Sequence, residues 1–111
     1  YWKLLAVDDN PVVAADNFRE AHIVLHIEHT RLAGSTGCNT LSGRYQHTGQ
    51  QLTFHPNATT KMACPTAQMR SEQAMLSALQ HIKRWEISGS RLALTGTNVE
   101  PLAVFEAVHL Y

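Results

Sequence analysis

The sequence predicts an α+β domain, a small antiparallel β-barrel of about seven or eight short strands with one amphipathic helix. Three observations favour this fold class. Apolar and polar residues alternate over much of the chain, which is typical of strands. Turns containing glycine or asparagine separate these stretches. Only residues 69–84 change to a helical spacing, without glycine or proline. So many strands in 111 residues limit their exposed edges best by closing into a barrel.

Alternation predicts the strands of the first half of the chain. They cover residues 2–7, 22–28, 32–35, 43–47 and 52–54. The polar stretch Asp8–Pro11 interrupts the pattern, and the residues from there to Glu20 have no clear period. A turn is expected around Thr48–Gln50.

The helix follows from the spacing of its apolar residues. Met75, Leu79 and Ile82 lie at i, i+4 and i+7 and form one apolar stripe. This predicts about four helical turns within residues 69–84, with Pro65 just before the start and basic residues near the end. Beyond the helix, strands are expected over residues 85–88, 91–95 and 102–111.

Composition limits the class of protein. Nine Lys and Arg against nine Asp and Glu give a formal charge of zero, which argues against a basic nucleic-acid-binding protein. The longest apolar runs are too short to cross a bilayer. The length fits a single domain over residues 1–111. No motif indicates a cofactor.

Two cysteines bear on the compartment. Cys38 and Cys64 form no Cys-x-x-Cys motif, so they are either buried free thiols or one disulfide, which we favour. A disulfide closing this loop is worth roughly 3.5 kcal/mol and implies an oxidising compartment. The chain begins at Tyr1 without an initiator methionine. We therefore expect that any targeting segment has been removed or was never cloned.

An ordered set of motifs resembles the META (HslJ-like) family over almost the whole chain. The motifs are Gly34-x-x-Gly37-Cys38-Asn39-x-x-x-Gly43-x-Tyr45, Gly49-x-x-Leu52-x-Phe54, Thr60-x-Met62-Ala63-Cys64-Pro65 and Glu72-x-x-Met75-x-x-x-Leu79. One departure is the polar segment that begins at Asp8, where a short glycine turn is usual in the family.

The resemblance implies an incomplete β-barrel with a helix and no established catalytic activity. It further implies a non-enzymatic protein of the bacterial cell envelope, in the periplasm or held by a lipid anchor on a removed N-terminus. Some members are lipoproteins, and some are associated with heat shock and stress. The expected partner is an unknown envelope protein or a hydrophobic ligand, and not a nucleic acid.

The resembling motifs are interpreted mainly as structural. Their glycines suit tight turns or close backbone approach, and Asn39 suits an Asx turn closed by its own side chain. Thr60 is expected to bond backbone ahead of the helix, and Met62 to fill the core. The two cysteines lie in the two most distinctive segments, which suggests that these segments meet. The structural set is Gly34, Gly37, Asn39, Gly43, Tyr45, Thr60, Met62 and Pro65.

Histidines and nucleophiles give weak signals for chemistry. His22, His26 and His29 have the spacing of metal ligands on a helix. The β-branched residues between them favour a strand instead, on which His22 and His26 lie too far apart to share an ion. There is no Gly-x-Ser-x-Gly motif, and the acidic residues are dispersed. We therefore predict no catalytic and no metal-binding residues.

Two functions remain open. The first is an accessory or protein-interaction module of the envelope. The alternative is a carrier of a lipid or small hydrophobic molecule in a barrel cleft beside the helix. The first and last strands are apolar on both faces, so their inner side chains either fill the core or line such a cleft. Filling the core is favoured, and the lining candidates are Trp2, Phe54, Trp85, Leu94 and Phe105.

Overall fold

A computed structural model describes residues 1–8, 10–11, 20–60, 62–97 and 100–108, except for the side chains of residues 56–58. The strands are β1 (Trp2–Val7), β2 (Asn10–Pro11), β3 (His22–His26), β4 (Arg31–Ser35), β5 (Thr40–Thr48), β6 (Gln51–Thr59), β7 (Arg84–Ser88), β8 (Arg91–Thr95) and β9 (Pro101–Ala107). One helix, α1 (Thr66–Gln80), joins β6 to β7, and a short 3-10 turn, Glu28–Thr30, joins β3 to β4.

The strands form a closed antiparallel barrel. Each strand from β3 to β9 pairs with the next, and β1 closes the ring by pairing with both β3 and β9. The ring therefore has eight strands, and β2 is an additional short strand beside β1. The predicted fold class is confirmed. The barrel is complete, whereas the resemblance implied an incomplete one.

The seam between β6 and β7 is the narrowest in the ring. Its register contains the single pair Gln51 and Arg84. Two further backbone hydrogen bonds extend it, from Leu52 N to Lys83 O (2.9 Å) and from Trp85 N to Gln50 O (3.0 Å). The chain between these two strands forms α1, which packs against β6, β9 and β1.

Helix α1 begins and ends earlier than its apolar stripe predicts. Pro65 is its N-cap, as expected, but the helix stops at Gln80. Ile82 lies beyond the helix but is 2% exposed and belongs to the core. Its burial explains why an apolar residue continues the helical spacing after the helix has ended. The helix cannot continue because Lys83 N donates to Thr95 O (2.8 Å), which commits this backbone to the barrel. The prediction that the helix reaches residue 84 was therefore wrong, and the basic residues Lys83 and Arg84 lie just beyond its end.

Strands β5 and β6 are longer than predicted. Along β5, Leu41, Gly43 and Tyr45 are buried, whereas Ser42 and Arg44 between them are exposed. A barrel strand needs only one apolar face, so it can continue through polar residues at both of its ends. The prediction missed these ends because it followed the apolar residues alone. Strand β3, in contrast, ends at His26, and Ile27 leaves the sheet as the residue that precedes the 3-10 turn.

Side chains fill the barrel interior. Fully buried residues come from the strands and from α1 together, so the helix completes the core from one side. Ile23, Leu32, Leu41, Met75, Leu79, Leu94 and Phe105 are each 0–1% exposed. The predicted strand over residues 102–111 is β9 as far as Ala107, and its last three residues lie outside the described part of the chain.

Gly34 is required by the close approach of β3 to β4. A Cβ atom on this residue would overlap the backbone carbonyl oxygen of His22 and press on the Cα of Ile23. Both obstacles are backbone atoms of a paired strand and cannot rotate away. The sequence expectation that this glycine permits close backbone approach agrees with this geometry.

Gly34→Ala is expected to lower the free energy of unfolding by about 2 kcal/mol or more, because the added methyl group overpacks two strands. Urea unfolding followed by circular dichroism measures the loss. The control is Ser42→Ala on the exposed face of β5, with an expected change within about 0.5 kcal/mol. An unchanged unfolding midpoint for Gly34→Ala would contradict the prediction, because it would show that β3 and β4 move apart at little cost to admit the methyl group.

Candidate functional site

A buried polar cluster joins the turn between β4 and β5 to α1 and to the segment before it. Asn39, 4% exposed, is at its centre. Its Oδ1 accepts hydrogen bonds from Thr60 Oγ1 (2.9 Å) and Met62 N (2.7 Å). Its Nδ2 donates to Glu72 Oε1 (2.8 Å). The Asn39 side chain thus crosses to other segments, and the prediction that it closes an Asx turn was wrong.

Thr36 closes the turn in place of Asn39. Its hydroxyl oxygen accepts hydrogen bonds from Asn39 N (2.9 Å) and Cys38 N (3.3 Å). The same hydroxyl group donates to Glu72 Oε1 (2.8 Å). Gly37, in the middle of this turn, has a φ of 96°, which explains the glycine. The turn between β4 and β5 is therefore joined directly to α1 through the carboxylate of Glu72.

The disulfide lies beside this cluster. Cys38 and Cys64 are bonded, with their Cα atoms 6.2 Å apart, which confirms the favoured alternative for the two cysteines. Cys64 directly precedes the N-cap Pro65, so the bond fastens the turn to the start of α1. Met62 contributes only its backbone here. Its side chain is 58% exposed, so the prediction of a core role was wrong.

The remaining structural residues also have definite places. Thr60 Oγ1 accepts from Thr40 N (3.0 Å), which attaches the end of β6 to the start of β5. Gly43 lies at a register shift opposite Pro56. Tyr45 packs in the core, and its hydroxyl group donates to His26 O (3.1 Å).

An apolar cavity opens at the other end of the barrel. Its volume is about 260 Å³. The hairpin register fixes its position, because Thr48 pairs with Gln51 at this end, whereas Leu41 pairs with Thr59 near the polar cluster. No described residue of α1 lines it, so it does not lie beside the helix. The lining residues are Trp2, Leu25, Ile27, Tyr45, His47, Leu52, Trp85, Ile87 and Leu92.

Two of the lining aromatic side chains bond to backbone through their polar atoms. Trp85 Nε1 donates to Gly49 O (2.9 Å), and the Tyr45 hydroxyl group is bonded to β3 as described above. The ring centroids of His47 and Trp85 are 5.9 Å apart. These bonds fix the rings at the rim and leave apolar surface facing the cavity. The cavity therefore suits an apolar group.

Two exposed apolar residues lie at the same end of the barrel as the cavity. Among the residues that the structure describes, three large apolar side chains are exposed: Ile27 (90%), Met62 (58%) and Ile87 (48%). Ile27 and Ile87 line the cavity entrance, and Met62 lies at the opposite end. We call the cavity and its two isoleucines the barrel mouth.

The predicted lining residues divide into two groups. Trp2 and Trp85 line the cavity. Phe54, Leu94 and Phe105 lie in the core and are at most 5% exposed. A ligand role for the two tryptophans stays a prediction.

Sequence reasoning missed several residues of both sites. The sequence does contain a signal for Glu72. It precedes Met75 by three residues and Leu79 by seven, so it lies on the apolar stripe of the helix. A charged residue in such a stripe needs buried partners. Ile27 and Ile87 gave none, since their exposure depends on where each strand ends.

The histidines take separate positions. His22 stacks on the Tyr1 ring with centroids 4.2 Å apart. Tyr1 also donates a hydrogen bond to Glu20 Oε2 (2.8 Å), while Lys3 Nζ lies 3.4 Å from Glu20 Oε1. Burial, then this hydrogen bond and the charge of Glu20, raise the pKa of Tyr1 to about 12.

The other two histidines of the candidate metal set are apart from this corner. His26 lies at the end of β3, and His29, with a φ of 60°, lies in the 3-10 turn. The described residues contain no group of three or more His, Cys, Asp or Glu side chains placed to hold a metal ion. Within that same part of the chain, no helix has both the length and the apolar character needed to cross a bilayer.

Comparison with known proteins identifies a family. The family model described as META domain matches residues 1–109. Comparison with curated proteins gives no significant match.

Solved structures share the fold. An NMR structure of a protein from Burkholderia xenovorans aligns with a TM-score of 0.69 at 28% identity, over 95% of this chain and 79% of that one. A second NMR structure gives a TM-score of 0.70 at 20% identity, over 95% of this chain and 86% of that one. A crystal structure of a DUF4847 family protein from Bacteroides vulgatus gives 0.65 at 15% identity, over 78% and 57%.

Reduction of the disulfide is expected to lower the free energy of unfolding by about 3.5 kcal/mol, because it releases a loop of 26 residues in the unfolded chain. Guanidinium unfolding with and without dithiothreitol measures this. The double variant Cys38→Ala, Cys64→Ala is the control, and reductant leaves its midpoint unchanged. Equal midpoints for the oxidised and reduced native sequence contradict the expectation.

Glu72→Ala is expected to cost about 2–3 kcal/mol of stability, because it leaves the Thr36 hydroxyl group and the Asn39 amide without their acceptor. Glu72→Gln keeps an acceptor oxygen at the same place and is expected to cost less than about 1 kcal/mol. Urea unfolding of both variants near neutral pH compares them. Equal losses would show that the charge, and not the acceptor, stabilises the cluster.

Proposed function

The chain belongs to the META domain family, and from that premise we propose that it is a non-enzymatic interaction module of the bacterial envelope. Its barrel mouth binds one apolar side chain of a partner protein. The observation that carries this proposal is the apolar cavity of about 260 Å³ with two exposed isoleucines at its entrance.

The size of the cavity favours a side chain over a whole ligand. Sites for small molecules usually measure about 300–1,000 Å³ and enclose most of the ligand. This cavity is smaller and opens at the barrel end, while side chains fill the rest of the interior. An anchor residue in a pocket, surrounded by near-neutral contacts, is the usual centre of a protein interface.

The exposure of Ile27 and Ile87 supports a partner surface beyond the cavity itself. Both side chains project at the rim, where they stay in contact with water in the free protein. A partner that covers the mouth removes this apolar area from water, which favours association by roughly 25 cal/mol per Å².

The absence of catalysis is proposed from the use of the buried polar groups. The Glu72 carboxylate accepts two hydrogen bonds within the fold, and the Asn39 amide is fully engaged. These groups hold the helix to the barrel, and their hydrogen bonds join parts of the fold to one another. This arrangement is typical of a cluster with a structural role.

The envelope location is proposed from the disulfide together with the family. Disulfides form and persist in oxidising compartments such as the bacterial periplasm. A lipid anchor upstream of this sequence and a role under heat or other stress, as the resemblance implies, belong to the same proposal.

A second candidate for the group that binds in the cavity is a hydrophobic small molecule or the end of an acyl chain. The observation that favours it is the composition of the lining, in which eight of the nine residues are aliphatic or aromatic hydrophobic side chains and the ninth is His47. Native mass spectrometry of protein taken from envelope fractions without refolding separates the two guests. A retained small passenger favours the second.

Photo-crosslinking tests the interaction role. Benzoylphenylalanine at position 87 is expected to give a discrete protein adduct in intact cells, whereas the same residue at position 62 gives none, because Met62 is exposed at the wrong end. Excess protein of native sequence suppresses the adduct, and excess Ile27→Asp protein does not. Equal adducts from both positions, or none from position 87, contradict the proposal.

A further inference from the structure

Four basic residues stand side by side across four neighbouring strands. His26 pairs with Arg31, Arg31 with Arg44, and Arg44 with His55, each across one strand boundary. Their neighbours along the strands, Leu32, Tyr45 and Phe54, face the core. Since side chains alternate between faces, the four basic residues lie on the outer wall of the barrel. We call them the basic row.

Within the described structure, no member of the basic row is paired with an acidic residue across a strand boundary; the nearest acidic residue along the chain is Glu28, in the exposed turn between His26 and Arg31. Like charges opposite each other on a sheet destabilise it, so two adjacent arginines carry a cost in the free protein. Among the described residues, the one ion pair within 4 Å joins Lys3 to Glu20, far from the row. Neither Arg31 nor Arg44 has a carboxylate partner there.

The opposite wall shows the contrasting arrangement. There Glu106 pairs with Lys3 on one side and with Arg91 on the other, so the signs alternate across the three strands β1, β9 and β8. The protein thus places an acidic residue between the basic ones on one wall and two adjacent arginines without one on the other, although its formal net charge is zero. A composition count cannot reveal this separation.

An exposed apolar residue stands at one end of the basic row. Ile27 directly follows His26, and the turn that it begins leads into Arg31. The turn has a defined shape, since Thr30 N donates to Ile27 O (3.3 Å) and both His29 and Thr30 have positive φ. Ile27 therefore projects at the point where the row meets the barrel end, with 90% of its surface exposed.

We propose that the basic row and Ile27 form a docking edge for a bilayer surface rich in anionic phospholipid. Guanidinium groups match phosphate geometry, and adjacent basic residues near an anionic bilayer add to its attraction. An apolar tip beside them enters the headgroup region, as at interfacial anchors generally.

The form of the wall favours a surface over other anions. The wall is the convex outside of the barrel, a form that suits contact with a broad surface better than enclosure of a small anion. The outward residues around the row are aliphatic, hydroxyl or amide side chains, and they add no aromatic ring for stacking nucleic-acid bases beyond the imidazoles of His26 and His55. They are Val24, Ala33, Ser42, Gln46 and Thr53.

Vesicle co-sedimentation at low ionic strength tests the proposal. The protein of native sequence is expected to bind vesicles of phosphatidylcholine mixed with phosphatidylglycerol and to bind pure phosphatidylcholine far less. Arg31→Gln with Arg44→Gln weakens binding by about tenfold or more. Arg70→Gln with Arg91→Gln, which removes the same charge from exposed sites elsewhere, leaves binding within about twofold of the native sequence. Ile27→Ser weakens it without a change of charge.

Several outcomes would overturn the proposal. Binding that does not depend on phosphatidylglycerol shows that anionic lipid is not recognised. An equal loss of vesicle binding in the two double variants shows that the basic row is not the binding site. Competition by inorganic phosphate beyond that of chloride at equal ionic strength shows a site for free anions. Equal binding to polyglutamate shows an acidic protein partner instead. The mouth is untouched in the Arg31→Gln, Arg44→Gln protein, so this test stands apart from the proposed interaction at the mouth.

Discussion

The limited interior of a closed eight-stranded barrel governs the rest of this structure. Such a ring encloses little more volume than its own inward side chains fill. Once β1 and β9 close it, the helix cannot enter the ring and instead packs against it with Met75 and Leu79 buried. Side chains of the strands and of α1 thereby fill the helix end, whereas a cavity of about 260 Å³ is left at the other end.

The two ends consequently have different chemistry. At the helix end, a disulfide and a saturated set of hydrogen bonds around Asn39 fix three segments to one another. At the mouth, aromatic rings bonded to backbone surround an unfilled apolar space. Rigidity at one end and exposed apolar surface at the other are typical of a scaffold that presents a binding face.

The sequence predicted the parts of this fold that depend on local spacing. Alternation identified most strands, and the stripe through Met75 and Leu79 identified the helix. It failed where distant residues decide the outcome. The helix ends at Gln80 because Lys83 N donates to Thr95 O, and Met62 contributes its backbone to Asn39 while its side chain is exposed. The basic row was invisible for the same reason, since its members adjoin only through strand register.

The pairing of Trp2 with Ala107 has a consequence for how the molecule folds. These residues are separated by nearly the whole chain, so the entropy of closing that loop is lost before the contact gives anything in return. Closure of the ring is therefore expected late, after the local hairpins β5–β6 and β7–β8 have formed. Until then β1 and β9 are two unprotected apolar edges, which makes this interval the one in which the chain is most exposed to aggregation and to chaperones.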